Sequence, residues 1–237
     1  MAVLIGERSP VCVGIDIGQV QDPAAICVSE VDARPTGKHR YIQPVPAHVD
    51  ERGRWILPVD TDPIMTSHYT VRHIARLPLG TSYPDVADII ANMLCSPLLI
   101  GRSVRVLMDI TGVGRGVYDI LRVEISRRKE ARSILLKPIS FVHGEAYNQK
   151  TGILGKGFLV SRLQSLLQGL RVHAPDTPEM QAALDELKIY ARKMSQNGTD
   201  TYGAFKTGEH DDLATALGLS VLEDPFGEKV RYSSRVY

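Results

Sequence analysis

The run VCVGIDIGQVQDPAAICV, near the start of the chain, constrains the fold more than any other stretch. Two apolar, β-branched segments, Val11 to Ile17 and Ala24 to Glu30, flank a turn from Gln19 to Pro23, the pattern of two buried strands. The first of them delivers one carboxylate, Asp16, and Gly18 follows at once. A strand that ends on an acid and leaves through a glycine turn suits a loop facing nucleotide phosphates. It equally suits a strand-borne metal ligand. The stretch alone does not choose.

The rest of the chain supplies a sheet and its covering helices. Residues 32–68 are polar and rich in Pro and Gly, and KHRYIQPVPA and GRWILPVD flank DERG, which predicts a small hairpin insertion. HYTVRHIARLPL predicts a third strand. YPDVADIIANML predicts a helix with Val86, Ile89, Ile90, Met93 and Leu94 at helical spacing and Pro84 near its start. SVRVLMDI predicts a fourth strand that stops at Asp109, and TGVGRGVYDILRVEISRR turns on glycines into a helix. SILLKPISF is a fifth strand. After the polar loop HGEAYNQKTGILGKG comes an amphipathic helix carrying Leu159, Leu163, Leu166, Leu167 and Leu170. LRVHAP predicts a short edge strand, and PEMQAALDELKIYARKM and EHDDLATALGLSVL predict two further helices. Three successive strands, then strands alternating with helices, imply an α/β fold with a mixed central sheet. The expected organisation is a single domain over residues 1–237, with its core at about 11–223, the insertion at about 32–68 and a loosely held arm at 224–237.

Charge and cysteine usage narrow the function classes. The net charge of +1 neither announces nor excludes nucleic acid, but from Arg102 to Lys137 nine Lys/Arg face four Asp/Glu, whereas Glu209 to Glu228 is acidic. Such asymmetry suits a polyanion held against bound cations, and it equally suits solvated helix faces of both signs. Cys12, Cys27 and Cys95 are odd in number and form no CxxC pair, so structural thiols in a reducing cytoplasm are expected. The first ten residues meet charge too soon for a signal peptide, and no apolar run approaches the ~20 residues that span a bilayer. A cytoplasmic protein without membrane partners is the expectation.

Asp16, Asp109 and Asp211, with its neighbour Asp212, form the informative constellation. The first two close apolar strands before glycine-containing turns, and parallel neighbouring strands would deliver both to one sheet edge, where open α/β sheets place ligands. The last two open an otherwise apolar helix. Carboxylates converging without Lys or Arg partners repel, and a hard cation relieves that repulsion. Two Mg²⁺ or Mn²⁺ ions about 3.5–4 Å apart would serve phosphodiester hydrolysis. Each acid also has a plainer role: a strand-terminal Asp is commonly a turn former, and HDD reads equally as an N-cap with first-turn acids.

In GIDIGQVQDPAAICV, MDITGVGRGVYDIL, GKGFLVSRLQSLLQGLRVHAP followed by ALDELKIY, and GEHDDLATALGLSV, the chain resembles the nuclease domain of the large terminase subunit of tailed bacteriophages. That family is a branch of the RNase H-like, RuvC-like nucleases. The resemblance runs in order from about residue 11 to 222. It implies an RNase H-like fold, with the first three strands antiparallel and the later ones parallel. It implies a metal-dependent DNA endonuclease of the genome-packaging type, with Asp16, Asp109, Asp211 and Asp212 as metal-binding, catalytic acids. Beside these acids, His210 reads as a proton carrier or as an exposed residue before the helix, and Lys156, Arg162 and Arg115 read as DNA-phosphate contacts or as solvated charge. Asp22 also fits the family pattern, although ordering the turn before Pro23 accounts for it. Duplex DNA is the expected substrate, with a packaging ATPase, a small terminase subunit and a portal as partners. The chain contains no GxxxxGK[ST], so an excised nuclease domain or a free-standing relative is expected. The other readings are a Holliday-junction resolvase of the RuvC type, a nucleotide-binding fold of the actin and hexokinase kind, and a catalytically silent DNA-binding module.

Overall fold

A computed structural model describes residues 9–18, 22–41, 48–49, 51–56, 61–197 and 211–226. In chain order the elements are β1 (Val11–Asp16), β2 (Ala25–Tyr41), β3 (His48–Val49), β4 (Trp55–Ile56), β5 (Thr61–Arg76), α1 (Tyr83–Leu94), β6 (Val104–Asp109), α2 (Gly114–Ser126), β7 (Ile134–Val142), β8 (Tyr147–Asn148), β9 (Ile153–Gly155), α3 (Lys156–Gln168), β10 (Val172–His173), α4 (Pro178–Asn197) and α5 (Asp212–Ser220). Eight strands form one sheet in the order β10-β5-β2-β1-β6-β7-β9-β8. β1 pairs antiparallel with β2 and parallel with β6, and β6 and β7 are parallel. This mixed sheet with helices is the α/β arrangement expected from the sequence.

β1 lies at the centre of the sheet, and the period of two along a strand divides its residues between two layers. Val11, Val13 and Ile15 join one core with Val86, Ala87, Ile90, Ala91 and Leu94 of α1 and Val117 and Leu121 of α2. The alternate face carries Cys12, Gly14 and Asp16, and it lies against α5. Gly14 permits that approach. A Cβ there would lie 2.0 Å from the Ala216 carbonyl oxygen and 2.5 Å from the Ser220 nitrogen, so no larger residue fits without moving the helix. On β6, Leu107 belongs to a second core with Leu154, Leu159, Leu219 and Leu222. Asp109, two residues on, therefore shares the face of Asp16.

A polar network closes the far end of α5. Glu223, 5% exposed, is hydrogen-bonded to the Lys137 ammonium and the Tyr147 hydroxyl, and Arg105 lies 3.7 Å away. Burial works against its charge, but these partners outweigh it and hold its carboxyl below the ordinary range. Arg162 of α3 donates from Nε to the Val221 carbonyl at 2.9 Å and from Nη2 to the Tyr69 hydroxyl at 3.1 Å.

The polar loop before α3 contains two short strands, β8 and β9, beyond what its composition predicts. β2 and β5 are also longer than predicted, and β3 and β4 pair antiparallel around the DERG turn as a small hairpin. Two compact units are distinguished, Met1–Asp32 with Tyr69–Pro225, and Ala33–His68 with Phe226–Tyr237. Within the second, the Thr36 hydroxyl donates to the Ile64 carbonyl at 2.9 Å. Among the described residues, no helix is long and apolar enough to cross a membrane.

Candidate metal centre

Asp16 and Asp109 reach the same sheet edge because their strands are parallel neighbours, in register through Ile15 and Met108. α5 crosses the face of β1 with its N-terminus toward that edge. Carboxylate oxygens of Asp16, Asp211 and Asp212 then lie within 4.8 Å of one another, a spacing at which one cation could touch all three. Asp109 stands at the margin of this group. Its Oδ1 accepts the Thr111 N–H at 2.7 Å, so it also fills the turn-forming role of a strand-terminal aspartate.

The electrostatics follow from burial and like charge. Asp16 is 9% exposed. Burial pushes its carboxyl well above the usual range, and Asp109, Asp211 and Asp212 push it further, while Lys156 pulls it back. Burial raises Asp109 as well, against the hydrogen bonds from Thr111 and the charge of Lys156. Lys156, the first residue of α3, contacts Asp211 Oδ2 at 3.1 Å. Burial disfavours its ammonium, but Asp211, Asp16 and Asp109 outweigh that cost and hold its pKa above the ordinary value.

HDD also reads as a helix cap. Asp211 does occupy the N-cap position of α5, yet its side chain makes no capping hydrogen bond. The cap comes from another helix. Glu186 of α4, buried, accepts the Ala214 N–H on Oε2 at 2.9 Å and pairs through Oε1 with Arg76 at the end of β5. The Arg76 Nε lies 3.7 Å from Asp212 Oδ2. Asp211 and Asp212 are thereby released from holding their own helix and face Asp16 instead. Sequence reading assigned no role to Glu186 or Arg76. The available signal was periodicity, because Glu186 interrupts the buried stripe of Met180, Ala183 and Leu187 with a carboxylate.

The other expected site residues are dispersed. Arg115 is exposed and pairs with Asp119 at 3.5 Å. Arg162 points into the fold, where its guanidinium holds the end of α5. His210 lies outside the described residues. Asp22 presents its carbonyl to Gly18, where a Cβ would lie 2.0 Å from the oxygen. Of the nine cations between Arg102 and Lys137, six (Arg102, Arg105, Arg115, Arg127, Arg128 and Lys137) lie in ion pairs with acids. Much of that basic stripe is therefore already paired, in part by exposed contacts within one helix.

No protein-family model matches the chain, and no curated protein matches it. Among solved structures it is similar to the human cytomegalovirus terminase nuclease domain. The Mn-soaked form is 10% identical at a TM-score of 0.47, covering 94% of this chain and 86% of that one. The Mn-soaked, inhibitor-bound form is 12% identical at a TM-score of 0.45 with the same coverages, 94% and 86%. A third structure of that domain is 13% identical at a TM-score of 0.46, covering 97% of this chain and 90% of that one. Identity and TM-score are low throughout.

Proposed function

We propose that this chain is a divalent-cation-dependent endonuclease that hydrolyses phosphodiester bonds of duplex DNA, in the manner of a terminase nuclease during viral genome packaging. One observation carries the proposal: Asp16, Asp211 and Asp212 converge at one sheet edge with Asp109 beside them. Among the described residues, these four carboxylates face the ammonium of Lys156 and the guanidinium of Arg76, which Glu186 shares, so acids outnumber cations. Hard oxygen donors of this kind fit Mg²⁺ or Mn²⁺. Asp16, Asp211 and Asp212 would hold one ion, and Asp109 would complete the position of a second. Bound divalent ions supply Lewis-acid charge to the phosphodiester and lower the pKa of water.

The chain's own residues do the rest. Glu186 and Arg76 orient the start of α5, and the buried floor of β1 keeps Asp16 fixed in direction. Lys156 and Arg115 are proposed to meet backbone phosphates, which makes binding largely independent of sequence and steeply weakened by salt. His210 is proposed as a proton carrier near neutral pH. Products carry 5′-phosphate and 3′-hydroxyl ends. In a packaging setting, inside a host cytoplasm, the ATPase, small terminase subunit and portal would be separate partners of this chain.

Nicking of supercoiled plasmid tests the proposal. Wild type with Mn²⁺ is expected to nick and linearise, and EDTA to abolish the reaction. Asp16→Asn and Asp211→Asn are expected to lose more than about 100-fold, beyond the effect typical of groups that merely orient a ligand. Full activity in both variants would refute the site. Cutting confined to four-way junctions would move the substrate to the resolvase class.

A further inference from the structure

Lys156 is an unusual lysine for a helix start. The residue before it, Gly155, lies so near the Gly144 carbonyl that a Cβ would stand 2.0 Å from the oxygen, which pins the first turn of α3 to the preceding loop. The Lys156 ammonium lies 5.5 Å from the centre of the Phe141 ring and 3.1 Å from Asp211 Oδ2. A backbone held in place, an aromatic face beside the ammonium and a carboxylate at its tip fix one direction for a side chain that is normally free. Its side chain is only 30% exposed. A lysine meant solely for DNA would gain nothing from being turned inward onto the acids.

We propose that Lys156 is a tethered counterion of the carboxylate site, whose ammonium competes with the divalent cation for Asp211. The inference rests on the metal-dependent function proposed above. In the metal-free protein the ammonium partly neutralises Asp211, Asp16 and Asp109, which otherwise repel one another. A divalent ion arriving at these oxygens meets a positive charge already bound to one of them. It either displaces the ammonium or binds beside it, and both lower its affinity. The lysine thus sets the metal concentration at which the site fills, and it does so without being a ligand.

Mn²⁺ titration of the full chain by calorimetry, without DNA, separates this role from catalysis. Lys156→Met keeps the length of the side chain and removes its charge, and it is expected to bind Mn²⁺ about tenfold more tightly than wild type. Lys156→Arg keeps the charge and is expected to stay within about threefold. In EDTA the Met variant should melt below wild type, and saturating Mn²⁺ should reverse that order. Lys156→Gln in the same titration serves if the Met variant does not fold. Affinity unchanged or weakened on removing the charge would overturn the counterion. A wild-type chain that binds no Mn²⁺ would instead overturn the metal site beneath it, so the two failures are told apart.

Discussion

α5 has acids at both ends, and the fold treats the two ends in opposite ways. At the N-terminus, Asp211 and Asp212 face a buried Asp16, and burial with like charge drives the Asp16 carboxyl well above its ordinary range. Just past the C-terminus, Glu223 is also buried, yet Lys137 and Tyr147 hold its carboxyl below that range. The same helix, nine residues long, thus joins a compensated acid to a cluster whose negative charge is only partly offset. Compensation marks a structural network. Its incompleteness at the other end, on an open sheet edge, marks a place that suits a cation from solution.

The largest stability effect should come from spoiling the compensated end. Glu223→Ala strands the Lys137 ammonium, 18% exposed, and is expected to cost about 3 kcal/mol in urea unfolding, the lower end for broken buried pairs. Mn²⁺ affinity should change little, because the proposed metal site is untouched. A variant that loses metal binding as severely as stability would erase the contrast.

Glu186→Ala tests whether α5 is aimed from outside. It removes the acceptor for the Ala214 N–H and the partner of Arg76. Mn²⁺ affinity and nicking are expected to fall about 10–100-fold, as for groups that orient metal ligands. Glu186→Gln, which keeps an acceptor, should recover part of the loss.

At the N-terminal end of α5 the sign reverses. Asp16→Asn replaces an acid whose ionisation burial opposes, so in EDTA near neutral pH it is expected to stabilise the fold by about 0.5–2 kcal/mol while abolishing nicking. Destabilisation there would show that Asp16 is compensated after all.

The pH dependence of melting in EDTA sharpens the same contrast. Asp16 and Asp109 have folded pKa values raised above their unfolded ones. Their contribution is full below the unfolded carboxyl value and is lost as pH rises through the folded values. Glu223 is lowered, so its contribution is present above the unfolded value and is lost as pH falls through the folded one. Wild type should therefore lose stability on both sides, Asp16→Asn should flatten the alkaline limb, and Glu223→Gln should flatten the acid limb. The smallest effect is expected from Tyr69→Phe, which removes the acceptor for Arg162 and a 3.2 Å bond to the Glu223 carbonyl. It should cost about 1 kcal/mol and leave nicking unchanged.

The parts of this molecule that were legible in sequence are those where local pattern and tertiary role coincide. β1 and β6 announce themselves as apolar runs that each stop on an acid, and α1 follows its helical spacing from Tyr83 to Leu94. Asp211 and Asp212 are adjacent in sequence, so their pairing needed no fold to reveal it. β2 reads as ending near Glu30 because Pro35 and Gly37 interrupt it, yet the strand runs on to Tyr41. Glu186, Arg76 and Glu223 carry no local pattern that separates them from the charges beside them, such as Asp185 and Asp224. Each acquires its role only when α4, β5 or β7 is brought against α5, and no spacing in the chain encodes that meeting. Lys156 read from sequence as a DNA-phosphate contact or solvated charge, because its inward direction depends on Phe141 and Gly144, in another strand and a preceding loop.

Gly14 has a consequence that its size conceals. It works as a spacer of zero thickness between β1 and α5, set two residues upstream of Asp16 and against Ala216, one turn beyond Asp212. The gap between the strand's acid and the helix's acids is therefore gauged by a position that carries no acid at all. Any side chain at residue 14 would act as a shim, displacing the helix that carries Asp212 while every carboxylate kept its identity. The spacing of the proposed metal site is thus set in part by a residue with no ligand chemistry.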